Sequence, residues 1–191
     1  MSSQWINYFG YGSLVNRDTR PKEEQAINVT LKRWRRVWNH RVTNSDARQA
    51  CTSLSVEPAE GNIDGVLVRI PVSELDALDA REFGYERMSL TAADFNLPAN
   101  MHAETIYVYR SLPENQHLAD DAHPVTQSYV DVVMAGYLDR FGDDGLRHLL
   151  RSTRGWNLPV LRDRADPTYP RSVSLPEEQY SYFDTLLAPL R

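Results

Sequence analysis

Apolar and polar positions alternate with strand-like spacing along most of the first 111 residues, then recur with helical spacing after residue 124. A hydrophobic run at residues 5–9 ends at Gly10 and Gly12, which predicts a strand feeding a tight turn. "NVTLKRWRRVW" (28–38) reads as a strand with β-branched and aromatic residues set between basic ones. "ACTSLSVEP" (50–58) and "DGVLVRI" (64–70) read as two more strands joined by the turn-rich link "AEGNI". Between residues 71 and 82 the period changes. Val72, Leu75 and Leu78 take helical spacing, Ser73 suits an N-cap with Asp76 three residues on, and Gly84 stops the helix. Residues 85–90 and 103–111 predict strands again. "PVTQSYVDVVMAGYLDRFG" (124–142) is the longest helical pattern, with Tyr129, Val132, Val133 and Tyr137 on one face, and "DDGLRHLLRST" predicts a second helix.

Many strands followed by a helix pair predict an α+β fold with a closed or nearly closed sheet. From Gly155 onward four of the eleven prolines fall before Ala188, which suits an extended wrap on the same domain better than a second domain. At 191 residues the chain is long enough for one domain that needs no disulfide or metal staple. The single cysteine, Cys51, has no partner for a disulfide and reads as a small buried hydrophobe. Five scattered histidines (His40, His102, His117, His123, His148) show no metal-ligand spacing. A net charge of −5 argues against a nucleic-acid binder, so the basic stretch at 31–41 with Trp34 and Trp38 reads as a solvated strand with aromatic packing. No signal peptide or membrane-spanning run is legible, and the expectation is a cytoplasmic protein.

"GYGSL" (10–14) tests three kinds of chemistry. It is half of a dinucleotide fingerprint, but the third glycine of GxGxxG would stand at Val15, and no GK[ST] occurs for a phosphate loop. It also fails GxSxG, which weakens Ser13 as a nucleophile. A purely structural turn therefore stays open. "LDAREFGYERM" (78–88) gathers Asp79, Glu82 and Glu86 beside Arg81 and Arg87. Glu82 and Glu86 at i,i+4 suggest metal ligation only weakly without a histidine, and a solvated charged helix end is the plain alternative.

The order of three elements is more specific. "YFGYGSL", then "GVLVRIPVSELDALDAREFGYER", then "AETIYVY" together resemble the γ-glutamylcyclotransferase superfamily over about residues 5–150, and most closely its bacterial and ChaC-like members. The tail after Arg154 has no counterpart in that resemblance, which divides the chain into residues 1–154 and an extension, 155–191. The resemblance implies an α+β fold, a small mixed β-barrel with surrounding helices, of the kind also called AIG2-like. It implies cleavage of a γ-glutamyl amide, glutathione or another γ-glutamyl compound, to 5-oxoproline and a free amine. Glu82 takes the place of the acid/base glutamate. Tyr11, Gly12, Ser13 and Leu14 take the place of the substrate cradle, and Tyr107 that of a pocket tyrosine. No metal, nucleotide or organic cofactor is implied, and the partner is a small molecule rather than a nucleic acid or a membrane.

In such a substrate the α-amine is the nucleophile and the γ-carbonyl the electrophile, so the protein must fold one molecule and move one proton. A glutamate base works best with its pKa raised by burial, which Leu78 and Phe83 would favour and Arg81 would oppose if it points inward. Two other readings remain: a related acyltransferase or amide hydrolase using the same glutamate, and a non-catalytic module that holds a carboxylate ligand in the same cradle.

Overall fold

The computed structural model describes residues 5–20, 25–42, 50–99, 101 and 105–190. His102 and residues 103 and 104 of the predicted strand lie outside them. The strands are β1 (Trp5–Gly10), β2 (Ala26–Val42), β3 (Cys51–Pro71), β4 (Tyr85–Leu90), β5 (Phe95–Asn96), β6 (Ile106–Ser111), β7 (Val125–Thr126), β8 (Thr153–Arg154) and β9 (Val160–Leu161). The helices are α1 (Leu75–Arg81), α2 (Gln127–Arg151) and α3 (Glu177–Leu187). A mixed sheet in the order β4-β6-β1-β3-β2-β5, with β8 beside β2, curls into a half-barrel. β1 and β6 run parallel while β1–β3, β2–β3 and β4–β6 are antiparallel.

The curl originates in β2 and β3. These strands, 17 and 21 residues long, stay paired through two register shifts, between Lys32 and Trp34 and between Trp38 and His40. At the first shift Arg33 and Gly61 adopt φ of 61° and 103°, and residues 59–61 bulge out opposite Arg33. The "AEGNI" link is therefore a bulge inside one continuous strand. It loosens and twists the ladder without ending it.

Residues 127–137 of α2 are buried on every side, which a single amphipathic face does not anticipate. The helix is wedged against the half-barrel, packing on β3 and on the turn that follows β1. Gly142 (φ 65°, ψ −166°) breaks α2 where the sequence places a boundary between two helices. α1 begins after a 3₁₀ turn at Val72–Glu74, and no side chain caps it, so Ser73 does not act as the expected N-cap. Gly84, at φ 82°, does end it.

The tail follows the body closely. β9 pairs in parallel with β7, and α3 buries Phe183 and Leu187 completely. Arg164 ties the two helices together through Asp131 of α2 and Asp184 of α3. Among the described residues no helix is long and apolar enough to cross a membrane.

Candidate active site

The turn after β1 is fixed from its carbonyl side. The Tyr11 carbonyl accepts from Arg36 Nε (2.9 Å) and from the Tyr137 hydroxyl (3.0 Å). The Gly12 and Ser13 carbonyls accept from the Val15 and Asn16 N–H groups, and the Leu14 carbonyl from Arg20 Nε (2.7 Å). The Tyr11 hydroxyl donates to the Tyr109 carbonyl at 2.6 Å. With the carbonyls engaged, the Ser13 and Leu14 N–H groups head a 3₁₀ turn that offers them no acceptor of its own.

Arg36 belongs to the stretch read as solvated, yet it is fully buried. Its guanidinium reaches the Tyr11 and Asp64 carbonyls and the Ser152 and Tyr137 hydroxyls, and lies 4.8 Å from the centre of the Tyr137 ring. Four oxygen acceptors and an aromatic face replace the water that an arginine loses on burial. The basic stretch thus supplies a clamp beneath the turn.

Glu82 caps the C-terminal end of α1, its N–H donating to the Leu78 carbonyl. The tight turn at Gly84 directs it inward, and its side chain is 16% exposed. The Glu82 Oε1 lies 3.5 Å from Arg81 Nε, while the Arg81 guanidinium also donates to the Thr19 carbonyl at 2.8 Å. Burial raises the Glu82 pKa above the usual carboxylate range, and Arg81, then Arg171, partly offset it. Arg81 therefore does point inward, and burial still outweighs it. Glu86 and Asp79 do not join this carboxylate. Glu86 pairs with Arg110 across β4 and β6, and Asp79 pairs with Arg87 and the Tyr109 hydroxyl. Because α1 ends before Glu82, the i,i+4 arrangement of Glu82 and Glu86 does not form.

Glu82 stands at the junction of two connected cavities. The smaller, about 30 Å³, is lined by the cradle residues Tyr11, Gly12, Ser13 and Leu14 together with Tyr85 and Tyr129. The larger, about 380 Å³, opens between Ser13, His40, Cys51, Phe83, Tyr169 and Arg171. Ser13, Glu82, Tyr85 and Tyr129 face both. Burial, together with the Glu82 charge, holds the Tyr11, Tyr85 and Tyr129 phenols well above their ordinary pKa, so all three are neutral hydroxyls.

Tyr107 is elsewhere. Its ring lies 4.8 Å from the Arg87 guanidinium and lines neither cavity. Strand alternation puts it on the same face of β6 as Tyr109, which does border the smaller cavity and turns its hydroxyl to Asp79. The structure brings Glu82, Tyr11, Gly12, Ser13 and Leu14 together and leaves Tyr107 out.

Several pocket residues carry no local sequence signal. His40 is buried, stacks on Tyr85 at 3.7 Å between ring centres, and approaches the Ser111 hydroxyl at 2.9 Å. Desolvation lowers its pKa to about 4, which keeps the ring neutral. Cys51 is half-buried on the cavity wall rather than in the core, and burial pushes its thiol up to about 11. Tyr129 reads as part of a core helix face, and Tyr169 lies in the tail. Only the fold assembles them.

The ChaC-like protein family profile matches residues 4–138. The chain belongs to the ChaC-like family. No curated protein matches the sequence. Among solved structures, YkqA from Bacillus subtilis superposes with a TM-score of 0.60 at 19% identity over 84% of this chain. The chain spans only 57% of the length of YkqA. A γ-glutamyl cyclotransferase matches with a TM-score of 0.60 at 14% identity, over 95% of this chain and 99% of its own. The uncharacterized Homo sapiens protein loc79017 matches with a TM-score of 0.59 at 14% identity, over 94% and 98%. The half-barrel and its helices are thus the γ-glutamylcyclotransferase fold.

Proposed function

We propose that this ChaC-like protein is a γ-glutamylcyclotransferase. It binds a γ-glutamyl amide, folds it so that the α-amine reaches the γ-carbonyl, and releases 5-oxoproline and the free amine. The observation that carries this reading is one carboxylate, Glu82, buried and raised in pKa where the cradle cavity meets the larger one.

The chemistry follows from that placement. The α-ammonium of the substrate must give up a proton before its nitrogen can attack, and Glu82 accepts it. The new C–N bond closes a five-membered ring, and the oxyanion that forms on the γ-carbonyl is met by neutral donors, the cradle N–H groups and the Tyr129 phenol, while the Tyr85 hydroxyl is committed to the Leu54 carbonyl. As the original C–N bond breaks, Glu82 returns the proton to the departing nitrogen, so its charge is restored; the second proton of the attacking nitrogen is released as the lactam N–H forms and passes to the freed amine, which leaves as an ammonium. A raised pKa suits both transfers, because the group must be a base first and an acid second. Holding nucleophile and electrophile in one folded conformer supplies on the order of 7–11 kcal/mol without a second substrate. Residues 155–191, which wall the larger cavity through Tyr169 and Arg171, are proposed as an extension of the same domain.

The test is product analysis. Purified protein incubated with glutathione and other γ-glutamyl compounds should release 5-oxoproline, with Glu82→Gln as the control. Free glutamate in its place would assign an amide hydrolase. Binding without turnover across all the compounds would assign a carboxylate-binding module.

A further inference from the structure

His40 is buried on the wall of the larger cavity, yet the transfers assigned to Glu82 leave it no proton to carry. Desolvation, which brings its pKa to about 4, keeps the ring neutral over the range in which the raised Glu82 titrates. Its backbone is held from both sides. Between Trp38 and His40 β2 carries one more residue than β3, and bulges of this kind re-aim the side chains beside them. His40 pairs with Ser53 of β3 on one side and bridges to Gln116 on the other, and the Asn39 carbonyl accepts from the His117 N–H at 2.8 Å. The Ser111 hydroxyl, 2.9 Å from Nδ1, sets the ring plane, and the Ser111 N–H donates to the Ser55 hydroxyl oxygen at 2.9 Å. A neutral ring fixed in this way is suited to holding other groups still.

The groups it touches belong to the turn that presents Glu82. The Tyr85 N–H donates to the Glu82 carbonyl at 3.1 Å, which closes residues 82–85 into a β-turn. The Tyr85 ring lies on the His40 ring, with 3.7 Å between centres and 26° between planes. A Cβ on Gly84 would come within 3.0 Å of His40 Cε1, so the imidazole edge meets the Gly84 backbone directly. The Gly84 carbonyl accepts from the Leu112 N–H and from the Asn115 side-chain amide, both at 3.0 Å. Tyr85 lines both cavities beside Glu82 and fastens its hydroxyl to the Leu54 carbonyl at 2.7 Å. Its ring is thus part of the wall that keeps water from the carboxylate.

We propose that His40 is a positioning residue for Glu82: its ring, wedged between Tyr85 and the Gly84 backbone, holds the 82–85 turn so that the carboxylate meets the scissile bond with little water around it. The inference rests on the cyclotransferase reading for the scissile bond, and adds a residue that takes no part in bond making or proton transfer. The charges that act on Glu82 are those of Arg81 and Arg171, and the Tyr11, Tyr85 and Tyr129 phenols stand around it. Removing the His40 ring leaves all of these in the chain and opens a void under Tyr85. That void borders the larger cavity and the polar groups of Ser111 and Asn115, so water fills it. A carboxylate better reached by water ionises more readily, and a turn without its support aims it less well.

The experiment compares His40→Asn with His40→Phe, each assayed below its own thermal midpoint. Asparagine keeps a polar atom for the Ser111 hydroxyl and loses the ring, whereas phenylalanine keeps the ring and loses that contact. Release of 5-oxoproline is followed with glutathione and with γ-glutamylalanine. In His40→Asn the acid limb of kcat/KM should move to lower pH by about half a unit or more, and kcat should fall about ten- to a hundredfold. KM should change by less than about threefold, because the cradle is untouched. His40→Phe should recover most of both effects. Carboxyl ¹³C NMR titration of Glu82, assigned through Glu82→Gln, should show the same displacement without turnover. A Glu82 titration and an acid limb that are unmoved in His40→Asn overturn the proposal, as does a His40→Phe protein that behaves like His40→Asn. If wild-type protein releases no 5-oxoproline, the cyclotransferase reading fails, while the carboxyl titration still decides whether His40 places Glu82.

Discussion

The Arg81 guanidinium stands 3.5 Å from the carboxylate of its chain neighbour, Glu82, and burial still holds that carboxylate above its ordinary pKa. Desolvation disfavours the anion and the arginine favours it, with desolvation the larger effect. The base must be ionised to accept a proton, so kcat/KM should rise with pH through the raised Glu82 pKa. Replacing Arg81 by Gln removes the opposing influence and raises that pKa further. The acid limb of the pH–rate profile should therefore move to higher pH in Arg81→Gln, as measured by 5-oxoproline release between pH 4 and 9.

Glu82→Gln keeps the shape of the side chain and removes its basicity. Loss of a general acid/base typically costs about 10²–10⁴-fold in rate. We expect kcat to fall in that range while 5-oxoproline still binds within a few-fold of wild type by calorimetry. Activity retained by this variant would remove Glu82 from the mechanism.

Gly12 lies under the Tyr129 hydroxyl, and a Cβ there would come within 2.9 Å of it. Gly12→Ala should displace the phenol from the junction of the cavities. Turnover is expected to fall tenfold or more, with the thermal midpoint lowered by only a few degrees, because the displaced hydroxyl borders a cavity rather than the packed core.

Arg36→Met removes the clamp under the cradle. The Tyr137 hydroxyl carries one proton and cannot serve both the Tyr11 and Asp64 carbonyls that it now shares with Arg36. Urea unfolding should show a loss of about 3 kcal/mol or more, as for other buried charged networks stripped of one member.

His40 links pH to stability. Its pKa falls from an ordinary 6.5 to about 4 on burial, so the unfolded chain binds the extra proton between those values. The neutral ring contributes its full stability above pH 6.5 and loses it as pH falls toward 4. From pH 7 to pH 5 this one group should cost about 2 kcal/mol. His40→Phe retains the stack on Tyr85 and removes the titration. Its urea-derived stability should fall by that much less than wild type over the same interval.

Much of this protein is legible in local pattern. Glycines after an apolar run mark the turn at residues 10–14, and Gly84 marks the end of α1. Spacing alone separates the strands from the long helix and places a boundary at Gly142. The resemblance in three ordered motifs leads to Glu82 and to the cradle. The errors have physical causes. The "AEGNI" segment looks like a turn because Gly61 supplies a left-handed residue, but β2 keeps pairing on either side of the bulge. Tyr107 and Tyr109 look equivalent in "TIYVY" and share one face of β6, yet only Tyr109 borders the smaller cavity, while the Tyr107 ring lies against Arg87.

By itself the sequence determined the α+β class and the turn after the first strand, because turn chemistry and side-chain period are properties of neighbouring residues, and Glu82 came from its resemblance to a family. Tertiary structure alone decided the rest. It buried Arg36 behind the turn, set His40 on Tyr85, and carried Tyr129, Tyr169 and Arg171 to the side of Glu82 across 47 to 89 residues of chain. Whether a cation is a solvated charge or a buried clamp, and whether a tyrosine is core or pocket wall, depends on what the fold brings to its other side. No local period encodes that.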